Sequence, residues 1–427
     1  MEKDTFESYS ALEQAQKRPY LHRLMREKIF ALLSNMDQAQ LDWWDGQEKF
    51  VFGQTSARFP EPIQVQVVDS DFYLSLALNG SMGAGESYMA GQWHCSDLPQ
   101  LIAALLAHRS IINQMDSWSS WLKKPIWATH QWLRRNSHIG AKRNIHDHYD
   151  LGNNFFGLFL DKNRMYSCAR FADPEMNLDQ ASLGKLETIC RKLDLKPSDH
   201  LVEIGSGWGG LAIYAAKTRG CRVTTTTISQ EQFDYAQVWI QREGLQDRIT
   251  LLQKDYRELT GQFDKLVSVE MIEAVGHRYL KTFMAQCSRL LKPEGRMLLQ
   301  AITIRDQNYF RALKEVDFIK KHIFPGSFIP STSIILDAMR RATDLTLSHL
   351  EDWSDAYHRT LLAWRKRFLS AKSDLDRLGY DSVFQRKWDF YFSYCAGAYQ
   401  ERAIGLVQML LTKPNCTRTG LNLEVQP

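Results

Sequence analysis

From about residue 182 onward, apolar runs of strand length alternate with stretches of helical spacing. The runs at 200–204, 221–228, 248–253, 264–269 and 296–302 are predicted as strands. Segments 183–193, 209–218, 230–243 and 277–291 carry the helical pattern between them. Such alternation predicts βαβ units, an α/β fold with a doubly wound parallel sheet and helices on both faces. Beyond Pro330 the pattern lengthens, and helices are predicted over roughly 331–343, 354–372 and 381–411, ahead of a polar tail. The first 110 residues mix both periods: helices over Leu21–Leu33 and Leu98–His108, strands at Phe50–Val51, Ile63–Val68 and Phe72–Leu78. They predict a smaller N-terminal α/β or α+β domain over 1–116, a connector over 117–146 and a large domain over 147–427.

Composition narrows the function classes. A chain of 427 residues with 44% hydrophobic content can bury sizeable cores in two or three domains. The net charge of +4 does not mark a nucleic-acid binder, and no nucleic-acid partner is expected. The polar, acidic stretch Met1–Ser10 has no apolar segment of a secretory leader. The apolar run Leu101–Ala107 is far too short to span a bilayer. Seven cysteines without C-x-x-C pairs predict reduced thiols in a cytoplasmic setting, with no disulfide or metal framework.

The connector stands apart. Trp118, Trp121, Trp127 and Trp132 interleave with Lys123, Lys124, Arg134, Arg135, Lys142 and Arg143, and no acidic residue lies between Asp116 and Asp147. Tryptophan favours the membrane–water interface, and basic side chains are drawn to anionic lipid. The segment reads either as a membrane-surface contact or as a basic connector whose tryptophans pack between domains.

The most informative stretch is Leu201-Val202-Glu203-Ile204-Gly205-Ser206-Gly207-Trp208-Gly209-Gly210. A strand enters a Gly-x-Gly turn and a helix follows. Glycines there allow positive φ and leave no Cβ between the turn and a ligand. The helix N-terminus adds unpaired N–H groups. Gly205, Gly207 and Gly210 also satisfy a dinucleotide fingerprint, but that fingerprint expects an acid at the end of the next strand. Here the strand ends in Thr224-Thr225-Thr226-Thr227. Glu203 before the turn and Asp255-Tyr256 after the third strand favour S-adenosylmethionine (SAM): a carboxylate and an aromatic face placed for an adenine. Asp255 reads equally well as a simple helix cap.

Several further blocks occur in order: Gly85-Glu86-Ser87-Tyr88-Met89, His148-Tyr149-Asp150-Leu151-Gly152-Asn153, Tyr166-Ser167-Cys168, Thr227-Ile228-Ser229-Gln230-Glu231-Gln232, Ser268-Val269-Glu270-Met271-Ile272-Glu273-Ala274-Val275-Gly276 and Asp355-Ala356-Tyr357. Together with the glycine turn, this set resembles the cyclopropane-fatty-acid synthase family of SAM-dependent lipid methyltransferases over roughly 80–412. The resemblance implies a class I SAM methyltransferase fold with helical lipid-binding insertions. It places Tyr166, Ser167, Gly205, Gly207, Thr227, Ile228, Gln232, Asp255 and Tyr256 on SAM. It places Cys168, Glu273, the backbone of Ile302, and Tyr357 around a bicarbonate ion that serves as base. The family's histidine in Leu-Leu-His-x-Ile is replaced here, in Leu298-Leu299-Gln300-Ala301-Ile302, as in the plant-type branch. Gln300 can hydrogen-bond an anion but cannot shuttle a proton.

The implied reaction is methyl transfer to a cis double bond of a phospholipid acyl chain, then ring closure to a cyclopropane. Methyl-alkene or methyl-branched products are the alternative. Tyr309, Phe318 and Phe328 are candidates for stabilising the intermediate cation. The protein is expected in the cytoplasm, bound peripherally to the inner face of the membrane. The N-terminal domain is expected to dock lipid or to pair protomers as a homodimer.

Overall fold

The computed structural model describes residues 20–111 and 151–417. The basic, tryptophan-rich connector and His148-Tyr149-Asp150 lie outside the described residues. The described chain divides into two compact units, one of 20–97 with 108–111, the other of 98–107 with 151–417.

In the first unit, strands β1 (Leu41–Asp45), β2 (Glu48–Phe52), β3 (Ile63–Val67) and β4 (Trp93–Cys95) form a sheet in the order β2-β1-β3-β4. Helices Tyr20–Leu33 and Asp71–Met89 accompany it. The strand predicted at Phe72–Leu78 is instead the start of the second helix. Phe72, Tyr73, Leu76 and Ala77 are buried there, one stripe of a helix rather than alternate residues.

Helix Leu98–Ala107 was expected in the N-terminal domain but packs in the second unit, on helix Ser382–Gln400. A Cβ on Gly397 would come within 2.8 Å of Ile102, so the two helices meet through a glycine.

The second unit carries a seven-stranded sheet. Its strands are β5 (His200–Ile204), β6 (Arg222–Thr227), β7 (Ile249–Gln253), β8 (Phe263–Val269), β9 (Leu291–Ile304), β10 (Thr346–Asp352) and β11 (Ile404–Thr412), in the order β10-β11-β9-β8-β5-β6-β7. The strands β5 to β9 are mutually parallel, as predicted, and β11 runs antiparallel between β9 and β10. The helix predicted over 381–411 stops at Gln400; Arg402 turns the chain at φ 49°, and 404–412 returns as a strand. The run Leu406–Leu411 is buried on both faces of the sheet, and a run of that kind has no period that separates strand from helix. Strand β10, half-buried and polar at the sheet edge, shows no apolar run at all. One core packs Leu186, Ile189, Leu211 and Val223 on one face, and another packs Phe283, Met297, Leu299 and Met409.

Strand order reverses beside β5, which pairs with β6 on one edge and β8 on the other. In such sheets the crevice outside the carboxyl ends of the strands at this point receives the ligand.

Candidate active site

The glycine turn leaves β5 at this crevice. Gly205 and Gly207 have φ of 96° and 50°, the left-handed region that disfavours a side chain. A Cβ on Gly205 would lie 3.0 Å from Met271 Cγ, whereas one on Gly207 would meet open space. The backbone N–H groups of Gly205 and Ser206 donate to the Thr226 carbonyl at 3.1 and 2.9 Å, tying the turn to β6. Beneath it, Glu203 is buried and accepts from Thr225 Oγ1 at 2.6 Å; desolvation pushes its carboxyl up to about 8.

At the end of β6, Thr227 Oγ1 donates to Gln232 Oε1 at 2.8 Å, and Ile228 beside them is partly exposed. At the end of β7, Asp255 caps a short helical turn and is clamped by Arg257 through Nε at 2.8 Å and Nη2 at 2.6 Å. Its carboxylate is thus already committed to a guanidinium. The neighbouring Tyr256 hydroxyl is buried and has no hydrogen-bond partner among the described residues.

The residue that organises the remainder of the site is Glu270, directly after β8. It is a non-glycine residue at φ 49°, and its backbone N–H donates to the Gln300 carbonyl at 2.8 Å. Its Oε1 accepts from the Cys168 backbone N–H at 2.9 Å and from Gln300 Nε2 at 2.7 Å. Its Oε2 accepts from the Tyr357 hydroxyl at 2.6 Å. Three expected site residues therefore converge on a carboxylate to which the sequence assigned no role. Gln300 is itself held: Gln408 Nε2, opposite it across β9 and β11, donates to Gln300 Oε1 at 3.0 Å. Gln408 Oε1 accepts from Lys192, which donates to Glu351 at 2.7 Å.

Glu273 lies one helical turn beyond. Its Oε1 accepts from the Ile302 backbone N–H at 2.5 Å, and its buried Oε2 has no hydrogen-bond partner among the described residues. Tyr166 reaches Tyr391 by hydroxyls 3.1 Å apart, and Ser167 Oγ accepts from the fully buried Lys185 at 2.6 Å. Of Cys168, the backbone N–H faces the carboxylate, while its thiol donates to the Ala169 carbonyl at 3.2 Å.

Burial dominates the electrostatics. Desolvation raises Glu270, opposed by Tyr357, the Lys185 charge, Gln300 and the Cys168 N–H. Glu273 is pushed up to about 8 by desolvation and then by the Glu270 charge. Two carboxylates this close do not both ionise readily. The three donors favour the ionised form of Glu270, while desolvation and the Glu270 charge favour the neutral form of Glu273. Desolvation and the Glu270 charge also hold the Cys168 thiol protonated, far from a thiolate nucleophile.

The aromatic candidates Tyr309, Phe318 and Phe328 are buried in cores. Tyr309 spends its hydroxyl on His277 at 2.6 Å. Other rings gather on Tyr357, which donates to Glu270: Tyr399 stacks on it at 4.5 Å, and Trp364 lies 6.1 Å from it and 5.3 Å from Tyr166. Lys185, Gln408 and Tyr399 escaped sequence reading because nothing local marks them. Glu270 did carry a signal, an acid ending a strand inside a recognised block.

SAM fits this crevice: the space over Gly207 is open, and the buried polar side chains of Thr227, Gln232 and Asp255 lie at the ends of the neighbouring strands. Bicarbonate fits poorly, because the N–H of Cys168 and the hydroxyl of Tyr357 are engaged by Glu270 and the N–H of Ile302 by Glu273.

The sheet order and glycine turn define a class I SAM methyltransferase. A profile of the family described as mycolic acid cyclopropane synthetase matches residues 136–409, and the chain belongs to that family. It is 36% identical to a cyclopropane-fatty-acyl-phospholipid synthase of Escherichia coli over 82% of this chain and 88% of that one. It is 34% identical to a tuberculostearic acid methyltransferase of Mycobacterium tuberculosis, over 78% of this chain and 79% of that one. A crystal structure of a mycolic acid cyclopropane synthase complexed with SAH and CTAB superposes with a TM-score of 0.60 at 28% identity, covering 64% of this chain and 98% of that one. The protein is thus a SAM-dependent methyltransferase of the cyclopropane synthase family.

Proposed function

We propose that the protein methylates the cis double bond of phospholipid acyl chains and closes a cyclopropane ring. The observation that carries this reading is Glu270, a carboxylate held by three donors among aromatic rings beside the glycine turn. Gly205, Gly207, Tyr166, Ser167, Thr227, Ile228, Gln232, Asp255 and Tyr256 would hold SAM. When bound, SAM supplies an electrophilic methyl group whose addition leaves a carbocation on the acyl chain. The chain's own residues then have three tasks. The faces of Tyr357, Tyr399 and Trp364 stabilise positive charge. The desolvated pocket excludes water that would capture the cation. A carboxylate takes up the proton whose loss closes the ring. A bound bicarbonate is the family's expected source of that base, and the engagement of its donors by Glu270 and Glu273 counts against it here.

The likeness to a tuberculostearic acid methyltransferase favours a second reading, with methyl-alkene or methyl-branched products. Mass spectrometry of vesicles of cis-monounsaturated phospholipid, incubated with methyl-labelled SAM and the protein, tests both. A labelled chain resistant to mild hydrogenation supports the ring; a labelled, hydrogenatable chain supports the methyl-alkene.

Among the described residues no helix is long and apolar enough to cross a membrane. An acyl substrate then calls for peripheral binding at the cytoplasmic face. The basic tryptophan-rich segment 117–146 suits that contact, and the N-terminal unit suits lipid docking or homodimer pairing.

A further inference from the structure

We infer that Glu270 is itself the base of this reaction, a carboxylate built into the chain at the place where an external anion would otherwise be held. This rests on the acyl-chain methyl transfer proposed above.

The donor set argues for it. A bicarbonate base needs groups that fix its oxygens, and the resemblance assigns Cys168, Glu273, the Ile302 backbone and Tyr357 to that task, with Gln300 in the place of the family's histidine. Here the Cys168 N–H at 2.9 Å, the Tyr357 hydroxyl at 2.6 Å and Gln300 Nε2 at 2.7 Å end on the Glu270 carboxylate, and the Ile302 N–H ends on Glu273 at 2.5 Å. The glutamine explains itself in the same terms. A carboxylate fixed to the backbone needs a neutral donor beside it, and an amide anchored by Gln408 supplies one.

The backbone argues for it as well. Glu270 sits at φ 49°, where a non-glycine residue is strained, and such strain persists where surrounding structure holds it for function. Met271, next in the chain, packs against Gly205, so the carboxylate is carried beside the cofactor turn. Glu270 remains partly exposed despite its desolvated surroundings, as a group that must reach a substrate should. Glu273 is the weaker candidate: its Oε1 is spent on Ile302 and its environment keeps it protonated.

The step balances without a co-reactant. A C–H bond of the transferred methyl group breaks, and its electron pair forms the ring's third C–C bond, quenching the carbocation. The proton goes to the Glu270 carboxylate, which becomes a neutral carboxyl. It passes to water when the product leaves.

The test measures labelled ring product from phospholipid vesicles in buffer freed of carbon dioxide, with and without added bicarbonate. The wild-type protein should run at full rate without bicarbonate. Glu270→Gln should lose about 10²–10⁴-fold in kcat while SAM affinity stays within about threefold. Glu270→Gly relieves the positive φ and so should fold; it should lose turnover in the same way and regain part of it with bicarbonate or formate. Wild-type turnover that needs bicarbonate overturns the inference, as does either variant turning over at the wild-type rate unaided. A wild-type protein that labels no acyl chain under any condition overturns the underlying reading, and a labelled product that requires bicarbonate overturns the inference alone.

Discussion

Gln300 and Gln408 face each other across the antiparallel pair β9 and β11, and the amide of one fixes the amide of the other. Gln408 Nε2 donates to Gln300 Oε1 at 3.0 Å, which turns Gln300 Nε2 onto Glu270 at 2.7 Å. Both side chains are fully buried, so neither can turn to water for a partner. Replacing Gln408 by Leu should free Gln300 to flip. The expected loss is about tenfold in kcat, the worth of ~1.4 kcal/mol, with SAM affinity nearly unchanged. Turnover and calorimetric SAM binding on the same preparation check this split.

Tyr357→Phe removes the hydroxyl that donates to Glu270 Oε2 at 2.6 Å. A hydrogen bond to a charged group is worth about 1.5–3 kcal/mol. That donor favours the ionised form, so its loss raises the Glu270 pKa further. The acid limb of kcat/KM against pH should move to higher pH, and turnover should recover as pH rises. An unmoved limb would place Tyr357 outside the base's hydrogen bonding.

Glu273 carries a stability signature. Its carboxyl rises from an ordinary value near 4.5 to about 8 on folding. Between those values the folded protein binds a proton that the unfolded chain has released, so stability falls as pH rises through this window. Glu273→Gln keeps the shape and cannot ionise. Its melting temperature should decline less than wild type between pH 5 and 8, and its activity should survive better than that of Glu273→Leu. Parallel melting curves for wild type and Glu273→Gln would deny that Glu273 is neutral in the fold.

The two turn glycines should fail differently. At Gly207 a Cβ meets only open space, so Gly207→Ala pays about 1–2 kcal/mol for positive φ and loses SAM affinity by about tenfold or more. At Gly205 the same change pushes Cβ to 3.0 Å from Met271, so Gly205→Ala should lower the melting temperature and displace the segment carrying Glu270. Calorimetric binding and thermal melts separate the two.

Peripheral binding predicts salt-sensitive attachment to anionic vesicles. Phe310 is 64% exposed, and Arg311, Lys314 and Lys321 nearby are exposed as well. Phe310→Ser should weaken co-sedimentation with vesicles while leaving SAM affinity intact. Unchanged sedimentation would move the lipid contact elsewhere.

Much was legible in the residue order alone. The parallel strands β5 to β9, the glycine turn between β5 and its helix, and the family resemblance all follow from local periodicity and contiguous motifs. Such features depend on neighbours within a few residues, which is what a sequence records. Strand β11 reads as helix from sequence because a run buried on both faces has no period, and Phe72–Leu78 reads as strand because its apolar run is nearly unbroken. Only the tertiary structure decided the chemistry around the base. Cys168, Glu270, Gln300 and Tyr357 lie far apart in the chain; pairing of β8 with β9 sets Gln300 beside Glu270, and the segments that carry Cys168 and Tyr357 close on the same carboxylate. A glutamate written in a motif states its charge but not which donors it will meet, nor which of two acids will keep the proton. Those depend on desolvation and distance, and neither exists until the chain has folded.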